Sequence, residues 1–185
     1  RSLLQNETFK NKFISRFADL LNTRYSPEAV LEKLNDFQAV YSPYVEEHIK
    51  RWKLYRGKFE NWLAEVDVIR EYAKHRPYHV RQHICNYFDL ETVELYLTVG
   101  EGGKVKINTI TLESSDTPWY GVYFKGIPVE LEAIPLNSYQ FVAWKGTFES
   151  ESANLTGFLT TGSSLQAIFK KVDKAHEGKN IHEDI

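Results

Sequence analysis

The stretch Trp119–Tyr120–Gly121–Val122–Tyr123–Phe124–Lys125–Gly126–Ile127–Pro128–Val129–Glu130–Leu131–Glu132–Ala133 decides the fold class of this 185-residue chain. Val129, Leu131 and Ala133 alternate with Glu130 and Glu132, which is the period of a strand with one dry face and one wet face. A strand buried on both sides would not hold two glutamates there, so an antiparallel sheet with a solvated side is expected. Lys125–Gly126 reads as a tight turn between two such strands. Outward from this line, strands are expected at 93–99, 104–107, 109–112, 118–124, 127–133, 140–144, 153–158 and 164–169. Gly102–Gly103 carries a hairpin signal, and Pro135–Leu136–Asn137–Ser138 a longer connection.

Upstream of about residue 91 the period changes to that of helices. Phe9, Phe13, Ile14, Phe17, Leu20 and Leu21 share one face, with Lys10, Lys12, Arg16 and Asp19 largely opposite. Ser26–Pro27–Glu28 is a strong start signal, with a capping hydroxyl, a proline suited to the first turn and an acid at the positive end of the helix dipole. Ser42–Pro43 repeats it, so a kink or restart is expected. A further helix follows from Phe59 to Ala73, and Pro77 opens a short last one. The fold class expected is α+β in two modules: a bundle of four or five helices over 1–90, then a small antiparallel β-sandwich or sheet module over 91–170. Residues 171–185 read as a frayed tail.

Composition narrows the function. Residues 1–90 hold 15 Lys/Arg against 12 Asp/Glu, and residues 91–185 hold 8 against 13. Neither imbalance is a clustered basic footprint, so no nucleic-acid partner is expected. The apolar run Leu95–Val99 is too short to span a bilayer, so no membrane insertion is expected. The single Cys85 excludes an internal disulfide and reads as a buried, inert thiol. Arg1 at the start and the lack of Met suggest an excerpt from something longer, with any export signal or catalytic region upstream.

Candidate chemistry is thin. His79 and His83 are one helical turn apart, at ligand spacing, with His75 nearby. They are the candidate metal pair, although the glutamate of a metalloprotease helix is missing between them. Glu130 and Glu132 share a face without the cleft that a glycosidase needs. Glu113–Ser114–Ser115–Asp116–Thr117 offers oxygens for calcium without the spacing of an EF-hand. Trp119, Tyr120 and Tyr123 are the candidate aromatic surface for stacking on a sugar or a protein partner, whereas Trp52 and Trp62 read as packing anchors. The arginines at 51, 56, 70, 76 and 81 read as a solvated helix face. No catalytic residue is identified. Three functions compete: a noncatalytic region of a larger protein, a carbohydrate-binding module, and a metal-dependent enzyme using His79 and His83.

The helical half resembles the closing part of the spore coat CotH kinase-like family. The resemblance rests on Phe13–Ile14–Ser15–Arg16–Phe17–Ala18–Asp19–Leu20–Leu21–Asn22–Thr23, Tyr25–Ser26–Pro27–Glu28, His48–Ile49–Lys50–Arg51–Trp52, and Tyr78–His79–Val80–Arg81–Gln82 followed by Tyr87–Phe88, and covers about residues 6–90. The strand half resembles a divergent InlB-type B-repeat through Gly103–Asn108, Gly121–Val129, Pro135–Trp144 and Leu165–Phe169. It departs from that pattern at Ser138 and at Ala143–Trp144. The CotH resemblance implies an atypical protein kinase fold in the whole family, moving phosphate from ATP to protein serine or threonine. It implies ATP and a divalent metal only for a region upstream, and none in this chain. It makes Asp19 a surface or packing acid rather than a metal ligand. It also implies the upstream kinase-like region as a partner, while the protein or glycan partner expected at the β module rests on its aromatic residues. The location implied is a cell envelope, an extracellular surface or a spore coat.

Overall fold

The computed structural model describes residues 3–53 and 57–172. After a single 3-10 turn at Leu3–Gln5, three helices follow: α1 (Glu7–Asn22), α2 (Pro27–Trp52) and α3 (Phe59–Phe88). Eight strands come next: β1 (Thr92–Val99), β2 (Gly103–Ile107), β3 (Ile110–Glu113), β4 (Trp119–Phe124), β5 (Pro128–Pro135), β6 (Tyr139–Gly146), β7 (Asn154–Phe158) and β8 (Ser163–Lys171). The fold is thus α+β, helices first and strands after.

Among the described residues three helices, not four or five, carry the first part. Pro43 lies inside α2 and Pro77 inside α3, and neither ends its helix. A mid-helix proline forfeits one backbone bond and crowds the carbonyl four residues before it. Each helix extends several turns to either side of its proline; the Pro77 ring is buried, so local burial offsets the loss there, whereas Pro43 is exposed. The starts follow the sequence: Asn6 Oδ1 accepts the Phe9 N–H at 3.0 Å, and Ser26 Oγ accepts the Ala29 N–H at 3.3 Å. α3 stops at Asp89, which takes the left-handed conformation common after a last turn.

The strands form two four-stranded sheets, ordered β4-β1-β8-β6 and β3-β2-β5-β7. All eight expected strands are present, with ends shifted by one or two residues. The sheets are not purely antiparallel, because β8 runs parallel to β1, with Leu95 opposite Ser163 and Leu97 opposite Leu165. Gly102–Gly103 does not close a hairpin, since β1 and β2 lie in different sheets. The tight hairpin is β2–β3, whose two-residue loop Asn108–Thr109 holds Asn108 at φ 47° with Ile107 opposite Ile110. Lys125–Gly126 is a turn, as its sequence indicates.

The chain divides into two compact units. One comprises Arg1–Glu94, Gly121–Pro128 and Phe158–Thr160; the other comprises Leu95–Tyr120, Val129–Gly157 and Thr161–Ile185. In the second unit Val105, Ile107, Val129, Leu131 and Ala133 of one sheet, and Leu95, Leu97, Val99, Leu165 and Ala167 of the other, are buried. Trp144 is wholly buried there, its indole N–H donating to the Ser152 carbonyl at 3.0 Å. Gly103 allows the sheets to approach: a Cβ on it would lie 2.2 Å from the Phe169 ring. The tail expected from 171 lies outside the described residues from 173 onward, as does Arg56.

Candidate functional site

In the first unit the segment Asp19–Leu20–Leu21–Asn22 of α1 lies against β4. The Asn22 carboxamide bonds both sides of one peptide position. Its Nδ2 donates to the Val122 carbonyl and its Oδ1 accepts the Val122 N–H, each at 3.0 Å. β4 is an edge strand, so this side chain stands where the next strand would. Arg81 of α3 donates to the same Oδ1 at 2.8 Å. One turn earlier, the Tyr123 hydroxyl donates to Asp19 Oδ1 at 3.3 Å.

Asp19 is wholly buried, which corrects its placement on the polar side of α1. The inward face of the helix is Ile14, Ala18, Asp19 and Leu21. Phe9 and Phe13 sit on its exposed shoulder, where Phe13 packs on Phe17 and Phe88. A buried carboxylate needs a partner, and the phenol supplies one. Burial, reinforced by the Asp19 carboxylate, pushes the Tyr123 hydroxyl well above the ordinary tyrosine range.

Tyr123 therefore cannot belong to an exposed aromatic surface, being only 2 % accessible. Trp119 is half-buried and Tyr120 exposed. The partner of Tyr120 is Tyr96, which the sequence did not single out: their rings lie 5.3 Å apart at 51° and both are exposed. Tyr96 on β1 and Tyr120 on β4 meet because those strands are neighbours, which the order of residues along the chain does not reveal.

His79 and His83 are exposed on α3, and His75 pairs with Glu71 at 3.7 Å. Among the described residues no group of three or more His, Cys, Asp or Glu could hold a metal ion. The Glu71 carboxyl is held below the usual range, chiefly by its bond to Lys74. Cys85 is buried, and burial pushes its thiol up, away from nucleophilic use. Glu130 and Glu132 are exposed, and Glu132 pairs with Lys106 at 3.8 Å.

A groove of about 920 Å³ in the helical region is lined among others by Tyr41, Tyr44, Val45, Ile49 and Trp62. Around it α2 contributes no buried residue along its 26 positions. Phe37, Val40, Tyr41, Tyr44 and Trp52 are all exposed, Trp52 at 62 %, so Trp52 is not the packing anchor expected. Among the described residues no helix is long and apolar enough to cross a membrane.

No curated protein and no solved structure matches the chain. Residues 1–80 match the family model described as CotH kinase protein. That match stops short of the strands, so the B-repeat resemblance rests on sequence pattern alone. The matched residues, which hold Asp19, Asn22 and the exposed face of α2, are thus similar to the CotH kinase family.

Proposed function

We propose that this chain is a noncatalytic C-terminal region of a CotH-like protein of the cell envelope or spore coat, and that its α2 face braces an upstream kinase-like lobe. ATP and a divalent metal belong to that lobe, and the β region supplies a surface for localisation or partner binding. The observation that carries this is α2 itself: a helix of 26 residues with an apolar stripe and no buried side chain. Helices draw most of their stability from packing an apolar face, and contiguous exposed apolar surface marks an interaction site. The match of residues 1–80 to a kinase family model supports a kinase-like lobe as the occupant.

Hydrogen exchange on the longer protein and on this chain alone tests it. The α2 amides should exchange at least about tenfold more slowly in the longer protein, because opening a covered helix costs more. Equal exchange in both would overturn the bracing role.

A second function is favoured by one observation, the exposed Tyr96–Tyr120 pair. Two rings inclined at 51° suit a twisted glycan chain better than a flat crystalline face. Titration of cell-wall oligosaccharides by NMR should shift both tyrosines, with the shifts lost in Tyr120→Ala. A flat response would remove the carbohydrate-binding function.

A further inference from the structure

From Tyr72 to Phe88 the helix α3 contains Lys74, Arg76, Arg81, His75, His79 and His83 and no acid. Arg81 turns inward to Asn22, and the other five are exposed. His75, His79 and His83 follow at four-residue steps and so share one face, about 6 Å apart along the axis. Glu71 tempers only the first end, through Lys74 at 2.6 Å and His75 at 3.7 Å. Arg76 lies over the Tyr72 ring and His79 against Tyr78, and the exposed rings of Tyr72, Tyr78 and Tyr87 flank the cations. Complementing the helix dipole does not account for this, because that effect is confined to the last turn and the cations begin more than two turns earlier.

We propose that this face of α3, His75 to His83 with Arg76 at its side, is a docking strip for an acidic peptide segment of a partner protein, bound in extended form. Same-side residues of an extended chain recur every 6.6–6.8 Å or so, close to the step between the three imidazoles, so carboxylates at alternate positions would each meet one. A long polyanion such as nucleic acid is disfavoured because the chain as a whole carries a net charge of -2. A short acidic segment meets only the strip. The strip is separate from the α2 face and stands or falls independently of the bracing role.

The probe is a fluorescein-labelled ten-residue peptide of alternating Ser and Glu, followed by anisotropy with the intact chain in about 50 mM salt. Histidine is the side chain type that gains charge between about pH 7.5 and 6. Binding is expected at pH 6, roughly tenfold weaker at pH 7.5, and weaker again at about 200 mM salt. His75→Gln/His79→Gln/His83→Gln should abolish the pH response, and Arg76→Gln should weaken binding at both pH values. All four side chains are exposed, so circular dichroism should show the variants folded. No binding at pH 6, or a pH response that survives the triple change, would overturn the proposal. So would a single-stranded oligonucleotide of equal charge binding as tightly as the peptide.

Discussion

α1 and α2 are both amphipathic and both begin at a well-formed cap, yet one is an anchored element and the other a bare one. α1 buries Ile14, Ala18, Asp19 and Leu21 and ties itself to β4 through Asn22. α2, ten residues longer, buries nothing and leaves Phe37, Tyr41 and Tyr44 in solvent. An apolar stripe thus states that a helix needs a partner without stating that the chain supplies one. The buried polar groups make the sharper distinction. Buried Asp19 and half-buried Asn22 are tolerated there because each meets a specific atom of β4, while Tyr41 and Tyr44 of α2 stand exposed.

Breaking α1's partner should have the largest effect. A fragment ending at residue 90 lacks Val122 and Tyr123, so it should lose cooperative thermal unfolding by circular dichroism; a sharp melt close to that of the whole chain would show that the helices need no strand. Next, Ile14→Ala should cost about 3 kcal/mol in urea unfolding, as expected for a wholly buried aliphatic side chain. Asn22→Ala should cost about 2 kcal/mol, since it strands two backbone groups of β4.

The buried phenol gives a pH signature. Because the folded-state pKa of Tyr123 is raised, its contribution is intact below the unfolded tyrosine value of about 10 and is lost as pH climbs above it. Unfolding followed from pH 8 to 11 should therefore show an alkaline loss of stability that is reduced in Tyr123→Phe. An unchanged profile in that variant would assign the loss to other groups. The smallest effect belongs to α2: Phe37→Ser should change the stability of this chain by less than about 0.5 kcal/mol. A cost above 1 kcal/mol or so would mean that the α2 face is already packed.

Much of this was legible in the residues. The β-strands were, because Val93, Leu95, Leu97 and Val99 alternate with polar or exposed neighbours as cleanly as Val129, Leu131 and Ala133 do. A new helix is expected at Pro77 and a kink or restart at Pro43; neither proline ends its helix, and at Pro77 the sequence states what the proline forfeits and not what surrounding burial returns. The inward turn of Asp19 depended on a phenol 104 residues away, beyond the reach of any local pattern. Strand pairing was equally invisible: Tyr96 became half of an aromatic pair only once β1 and β4 were neighbours. At the candidate surface Tyr120 is exposed and Tyr123 is buried, because alternation distinguishes the faces of a strand but not which of them another element covers.

The parallel pairing of β8 with β1 sets the order of events during synthesis. β1 leaves the ribosome some 70 residues before the strand that lies between it and β6. Until β8 arrives, one edge of β1 is open, with a row of unpaired backbone groups beside Leu95 and Leu97. Contacts so distant along the chain close slowly, so the nascent chain has an interval in which that edge invites the wrong neighbour. A stop codon or a pause before Ser163 would leave every earlier strand made and that edge unprotected, and the product should be an aggregate rather than a shortened domain.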